Sequence, residues 1–189
     1  MLPSLPERKV RSNTQNCCRC DTFVLLYSYM INYAEIRELQ TAELDPAGLL
    51  YKQAGELAGM ALTAAGYTEE QAAKLCKELL TVQPKTGTRH FIGAVAGNRL
   101  FGLAIVDREG GGGSDEDVSA TVQTLAVEEL YRGDWVGVHL IHAARQVGHQ
   151  SARRQNNLHT TLPKENSSLR VLFSGMNVIV ETEPEPLAV

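Results

Sequence analysis

Val118–Val147 reads VSATVQTLAVEELYRGDWVGVHLIHAARQV, and three kinds of order follow one another within it. Val118–Val127 reads as a buried strand of apolar and small polar residues. Val136, Leu140, Ala143, Ala144 and Val147 recur at helical spacing, so a helix begins at about Trp135. Between them lies a tight polar loop, Tyr131-Arg132-Gly133-Asp134-Trp135-Val136-Gly137. A strand that runs through a small-residue loop into a helix is an anion site. The first-turn N–H groups have no partner inside the helix, and its dipole adds about half a positive charge. The diphosphate of a nucleotide-containing cofactor suits that geometry. His139 and His142 fall off the apolar stripe with no carboxylate beside them. They read as solvent-facing side chains, and no metal site is expected.

Upstream of this stretch, FIGAVA (91–96) and RLFGLAIV (99–106) flank Gly97-Asn98, a pair suited to a two-residue hairpin turn. Four glycines and Ser114 then lead to Asp115-Glu116-Asp117, a solvated acidic loop with no Gly-Lys-Ser/Thr to make a phosphate cradle. Earlier, Thr68-Glu69-Glu70-Gln71 is a capping box for a helix with Ala72, Leu75, Cys76 and Leu79 on one face. Cys76 on that stripe reads as a buried structural thiol. Asp45-Pro46 predicts the start of a preceding helix with Leu50, Leu57, Met60 and Ala61 inward and Gly66 as its stop. Tyr33–Gln40 predicts a first strand. Downstream, Asn157–Leu162 is a polar strand closed by Pro163. Asn166 caps a last helix with Leu169, Leu172 and Phe173 inward, and Val178–Val180 is a final strand. The succession predicts an α/β (α+β) fold: a mixed central sheet of about six strands flanked by four helices.

The 189 residues suit one domain able to bury about 70% of its unfolded surface. Residues 1–29 differ from the rest, with a basic patch, three of the four cysteines and an apolar run too short for a secretory signal. They are expected to be a disordered leader before a domain at 30–183 and an acidic tail at 184–189. A net charge of −4 gives no general attraction to nucleic acid or anionic membrane. Four cysteines, three crowded at Cys17, Cys18 and Cys20, suit a reducing cytosol better than a disulfide scaffold.

From about Tyr33 to Val180 the succession of elements resembles the GNAT superfamily of acyl-CoA N-acyltransferases. Leu125-Ala126-Val127 matches the family's Leu-x-Val at the end of the fourth strand. Arg132-Gly133-Asp134-Trp135-Val136-Gly137 resembles its Arg/Gln-x-x-Gly-x-Gly/Ala loop, and Asn166 to Phe173 its Asn-led last helix. The resemblance implies that Leu125, Ala126 and Val127 flank the pantetheine arm of acetyl-CoA. Arg132, Gly133, Asp134, Val136 and Gly137 would line its pyrophosphate, and Asn166 would join the cofactor-binding set. The family's first loop glycine is here Trp135. Phe173 stands where many members place a tyrosine acid, and Thr121 where some carry a glutamate base. His159 is then the expected replacement base, with Asp115, Glu116 and Asp117 as other candidates. The implied activity is acetyl-CoA-dependent N-acetylation of a primary amine, on a small molecule or a peptide, by direct attack in a ternary complex. The alternative is a non-catalytic module of the same fold that binds acyl-CoA or a protein partner. The expected partner is an amine acceptor, with no nucleic acid and no membrane. A homodimer is left open, and the expected location is cytoplasmic.

Overall fold

Gly97 and Asn98 turn the chain back on itself, and the hairpin they close is the centre of the sheet. In the computed structural model β2 is Thr88–Ala96 and β3 is Arg99–Glu109, paired antiparallel from Ala96 opposite Arg99 to Thr88 opposite Arg108. Residues 34–81, 83–84, 87–109, 119–133, 135–149, 158–162, 170 and 173–182 are described. The leader, the acidic loop, Asp134, Asn166, Leu169, Leu172 and the tail lie outside them. Around the hairpin stand β1 (Glu35–Glu38), β4 (Ser119–Val127), β5 (Leu158–Leu162) and β6 (Ile179–Thr182). The sheet runs β1-β2-β3-β4-β5-β6, antiparallel as far as β4 and parallel for the last two pairings.

Helices α1 (Leu49–Ala64) and α2 (Glu69–Thr81) cover one face, and α3 (Val136–His149) covers the other. Arg170 and 173–175 are helical at the end of the fourth helix. That helix closes on Asn177, whose φ of 54° lets the Val178 N–H reach the Phe173 carbonyl at 3.0 Å. Arg145 of α3 donates to the Met176 carbonyl and ties the two helices together.

Two expectations for α1 are corrected. Asp45 does not cap the helix: its Oδ1 accepts from the Ala47 N–H at 2.8 Å, and its carbonyl accepts from the Gly48 N–H at 2.7 Å. The carboxylate closes its own local turn, and the helix starts at Leu49. Met60 is 43% exposed, because the inward stripe is Ala54, Leu57, Ala58 and the half-buried Ala61. Those positions are i, i+3, i+4 and i+7, and Met60 lies off them. The capping box of α2 forms as its residues imply, with the Thr68 N–H on Gln71 Oε1 at 3.0 Å and the Gln71 N–H on Thr68 Oγ1 at 3.3 Å. Cys76 is buried against α1, its Sγ donating to the Gly55 carbonyl at 3.3 Å, and burial pushes the thiol up from its ordinary value.

Strand β4 is where the sheet changes character. Ile105 stands opposite Thr124 and Val106 opposite Val122, so Gln123 is an extra residue, a β-bulge. The bulge switches faces. Ala120 and Val122 point to the α3 side, whereas Thr124 and Ala126 share the α1 side with Ile105 and Leu103. Pairing with β5 runs from Ala120 opposite Leu158 to Val122 opposite Thr160 and stops at the bulge. Beyond it β6, not β4, continues beside β5, with Thr161 opposite Glu181. A notch therefore opens between the ends of β4 and β5.

Candidate functional site

Past the bulge, one edge of β4 has no strand partner among the described residues. The Glu128 N–H bonds the Phe101 carbonyl at 2.8 Å, and Val127 stands opposite Gly102. In an antiparallel ladder that places Val127 at a non-hydrogen-bonded position, so its own N–H and C=O point away from β3. Leu125, two residues back, has the same orientation. Of the three residues at the strand end, Leu125 and Val127 thus present backbone groups to the notch. Ala126 turns its amide to β3 and buries its methyl in the core.

The loop after β4 is anchored from below. Glu129–Tyr131 forms one 3₁₀ turn that buries the Tyr131 ring 4.7 Å from Phe101. Arg99 pairs with Glu128 at 2.6 Å, and Arg132 Nε donates to the Val127 carbonyl at 3.0 Å. Arg132 is therefore tied to the end of the strand. Gly133 has a φ of +89°, a left-handed conformation that a side chain would strain.

Helix α3 then begins close against the sheet. Val136 and Leu140 are fully buried over Gly102, where a Cβ would lie 2.9 Å from Val136 Cγ1 and 3.1 Å from Leu140 Cδ1. Glycine at 102 is what lets the helix start approach the strand end. The Cβ position of Gly137 is 3.9 Å from Val127 Cγ2, so the first helical turn packs on the Val127 side chain at the end of β4. The first intrahelical bond runs from the His139 N–H to the Trp135 carbonyl at 2.9 Å. The amides of Val136, Gly137 and Val138 have no acceptor among the described residues. Trp135 is half-buried, with its indole edge-on to the His139 ring at 4.8 Å. His139 and His142 are both exposed on α3.

The other side of the notch carries the titratable group. His159 on β5 stands directly beside Thr121 of β4, on the α1 face of the sheet. Its Nδ1 is 3.5 Å from Glu181 Oε1 on β6. Asp107, next in the same row, is held by Arg89 through two 2.6 Å bonds, and Arg89 also caps α2 at the Leu79 carbonyl. That carboxylate is spent on structure. Phe173 is 1% exposed, a core phenyl with no proton to give. Asp134 and Asn166 lie outside the described residues. No group of three or more metal-ligating side chains occurs among the described residues, and no helix there is long and apolar enough to cross a membrane.

Sequence reasoning missed the part that Gly102, Gln123 and Thr124 play in shaping this site, and it named Tyr131 in the loop without its buried anchoring role. Only Tyr131 carried a signal, as an aromatic in an otherwise polar loop.

No protein-family model and no curated protein sequence matches the chain. Solved structures do. The aminoglycoside N-acetyltransferase AAC(6')-Iy, solved in complex with CoA, matches with a TM-score of 0.55 at 16% identity, over 82% of this chain and 93% of its own. An aminoglycoside acetyltransferase from an uncultured soil metagenomic sample, in complex with sisomicin, matches with a TM-score of 0.54 at 16% identity, over 85% and 92%. A ribosomal-protein-alanine N-acetyltransferase from Brucella melitensis biovar Abortus 2308 matches with a TM-score of 0.56 at 14% identity, over 82% and 99%. The chain has the fold of the GNAT acetyltransferases.

Proposed function

We propose that this protein is an acetyl-CoA-dependent N-acetyltransferase acting on a primary amine of a small molecule or peptide. One observation carries the reading: the backbone edge of Leu125 and Val127, which no described strand pairs, leads toward the amides of Val136, Gly137 and Val138, which have no acceptor among the described residues. An extended amide-containing arm suits the first, and a diphosphate suits the second. Trp135, turned along α3 toward His139, leaves the reading intact. The solved relatives named above include an acetyltransferase bound to CoA.

When bound, acetyl-CoA supplies an activated acetyl group as a thioester. The chain's part is to hold both reactants and to take a proton. Alignment of two reactants is worth about 7–11 kcal/mol at best, and general-base help about 10²–10⁴-fold. His159, beside the position where the resemblance puts a glutamate base, is the group that accepts the amine proton. Phe173 offers none in return, so the departing thiolate is protonated by solvent. A cytosolic setting belongs to the same proposal, on the number and crowding of the cysteines in the sequence.

The test begins with CoA titrated into the intact protein and followed by the fluorescence of Trp135, the single tryptophan. Quenching or a spectral shift is expected. No response in fluorescence or melting temperature up to millimolar CoA overturns the proposal. Where CoA binds, thiol release from acetyl-CoA over an amine panel follows. Binding without turnover favours a non-catalytic acyl-CoA module, a reading that the phenyl of Phe173 and the hydroxyl of Thr121 also suit. His159→Gln is expected to lower kcat about 10²–10⁴-fold with CoA affinity unchanged.

A further inference from the structure

Thr124 carries a buried hydroxyl that bonds to no described residue. The residue is 6% exposed, and its Oγ1 has no hydrogen-bond partner among the described residues. Buried polar groups are almost always satisfied, and an orphan is costly. Valine has the same shape, so packing gives no reason for a hydroxyl there.

Its position indicates what it awaits. Thr124 is the first residue past the bulge, on the segment of β4 that β5 no longer pairs. Its side chain lies on the α1 face, the opposite face from the one on which α3 presents its amides. His159 lies on that same face, one strand over. Its row is level with Asp107 of β3, whereas Thr124 is level with Ile105. The two positions are therefore about 7 Å apart along the strands and about 5 Å across them. Both side chains thus border the same end of the notch. His159 Nδ1 faces Glu181 Oε1 at 3.5 Å, so Nε2 is the ring nitrogen assigned to the acceptor.

Building on the acetyltransferase reading, we propose that Thr124 Oγ1 and His159 Nε2 accept the two N–H bonds of one neutral primary amine, so that Thr124 restricts the acceptor to primary amines. The nitrogen lone pair forms the new C–N bond, and the C–S bond breaks with its electron pair leaving on the CoA sulfur. One proton passes from nitrogen to His159 Nε2. The other N–H stays in the amide product, facing Thr124. A secondary amine has a single N–H and leaves the threonine hydroxyl unsatisfied.

Thr124→Val in the full chain is the test, with three readouts. The melting temperature without ligand is expected to stay level or rise, because an unpaired hydroxyl is lost. CoA affinity, read from Trp135, is expected to be unchanged. With acetyl-CoA and the matched pair n-butylamine and N-methylbutylamine, the wild type is expected to prefer the primary amine. The variant is expected to raise its KM about tenfold, the worth of one hydrogen bond, and to lose the preference. A drop of several degrees in the melting temperature reveals an internal partner and overturns the proposal. So does a variant that keeps both KM and preference. If CoA binds and the wild type acetylates neither amine, the proposal is overturned. Wild-type protein that does not bind CoA overturns the acetyltransferase reading itself, a result distinct from any change caused by Thr124→Val.

Discussion

The two flanks of β4 differ. Toward β3 it pairs from Ser119 opposite Glu109 to Val127 opposite Gly102, with only the bulged Gln123 left out. Toward β5 it pairs from Ala120 to Val122 and no further. Backbone polar groups must find partners somewhere. On the closed flank they find them in the sheet; on the open flank Arg132 takes the Val127 carbonyl, and the others meet no described strand. Stability and binding therefore sit on opposite edges of one strand, and each can be damaged without the other.

Asp107→Asn attacks the closed flank and should have the largest effect. Arg89 and Asp107 have side chains only 9% exposed and meet at 2.6 Å. Removing one charge of such a pair costs about 3–5 kcal/mol. The denaturation midpoint should fall accordingly, while the molecules that remain folded bind CoA as the wild type does. An unchanged midpoint would break the comparison.

Gly102→Ala probes the boundary between the flanks and should be intermediate. The added methyl meets Val136 at 2.9 Å and Ala94 at 3.1 Å. Overpacking of this kind costs about 1–3 kcal/mol. Because it pushes the start of α3 off the strand end, CoA affinity should fall as well, unlike in Asp107→Asn. Calorimetric titration of both variants separates the two effects.

The smallest effect lies far from the open flank, at β1. The Arg37 guanidinium bonds Glu43 at 2.6 and 2.7 Å, and the Gln40 N–H adds a third bond at 2.9 Å. Together they hold the Glu43 carboxyl down at about 2, against an ordinary 4.5. A carboxyl depressed by folding contributes stability that is complete above its ordinary value and is lost as pH falls through the folded one. The pair is partly exposed, so the amount is under about 1 kcal/mol. Wild type should melt slightly above Glu43→Gln at pH 7, and the gap should close only between about pH 4.5 and pH 2. A gap that persists at pH 2 would show that charge is not its source.

Local chemistry made much of this legible. The Thr68–Gln71 box, the Gly97-Asn98 turn and the helix after Trp135 depend on residues within a few positions of one another, and each forms where its residues imply. Asp45 failed as a helix cap because two local uses of one carboxylate compete, and the shorter-range turn prevailed. The bulge at Gln123 gave no warning. Burial alternates smoothly through Ala120, Val122, Thr124 and Ala126, as in a regular strand. The first two nonetheless face α3 and the last two face α1.

By itself the chain determined the kind of elements, their succession and the anion loop at the head of α3. Those follow from periodicity, capping and the unpaired amides of any helix start. Only the tertiary structure decided which edge of β4 is free and that His159 stands beside Thr121. It alone also left the Thr124 hydroxyl buried with no partner among the described residues. These features depend on register between strands distant in sequence, and a one-residue shift in register moves every side chain to the other face.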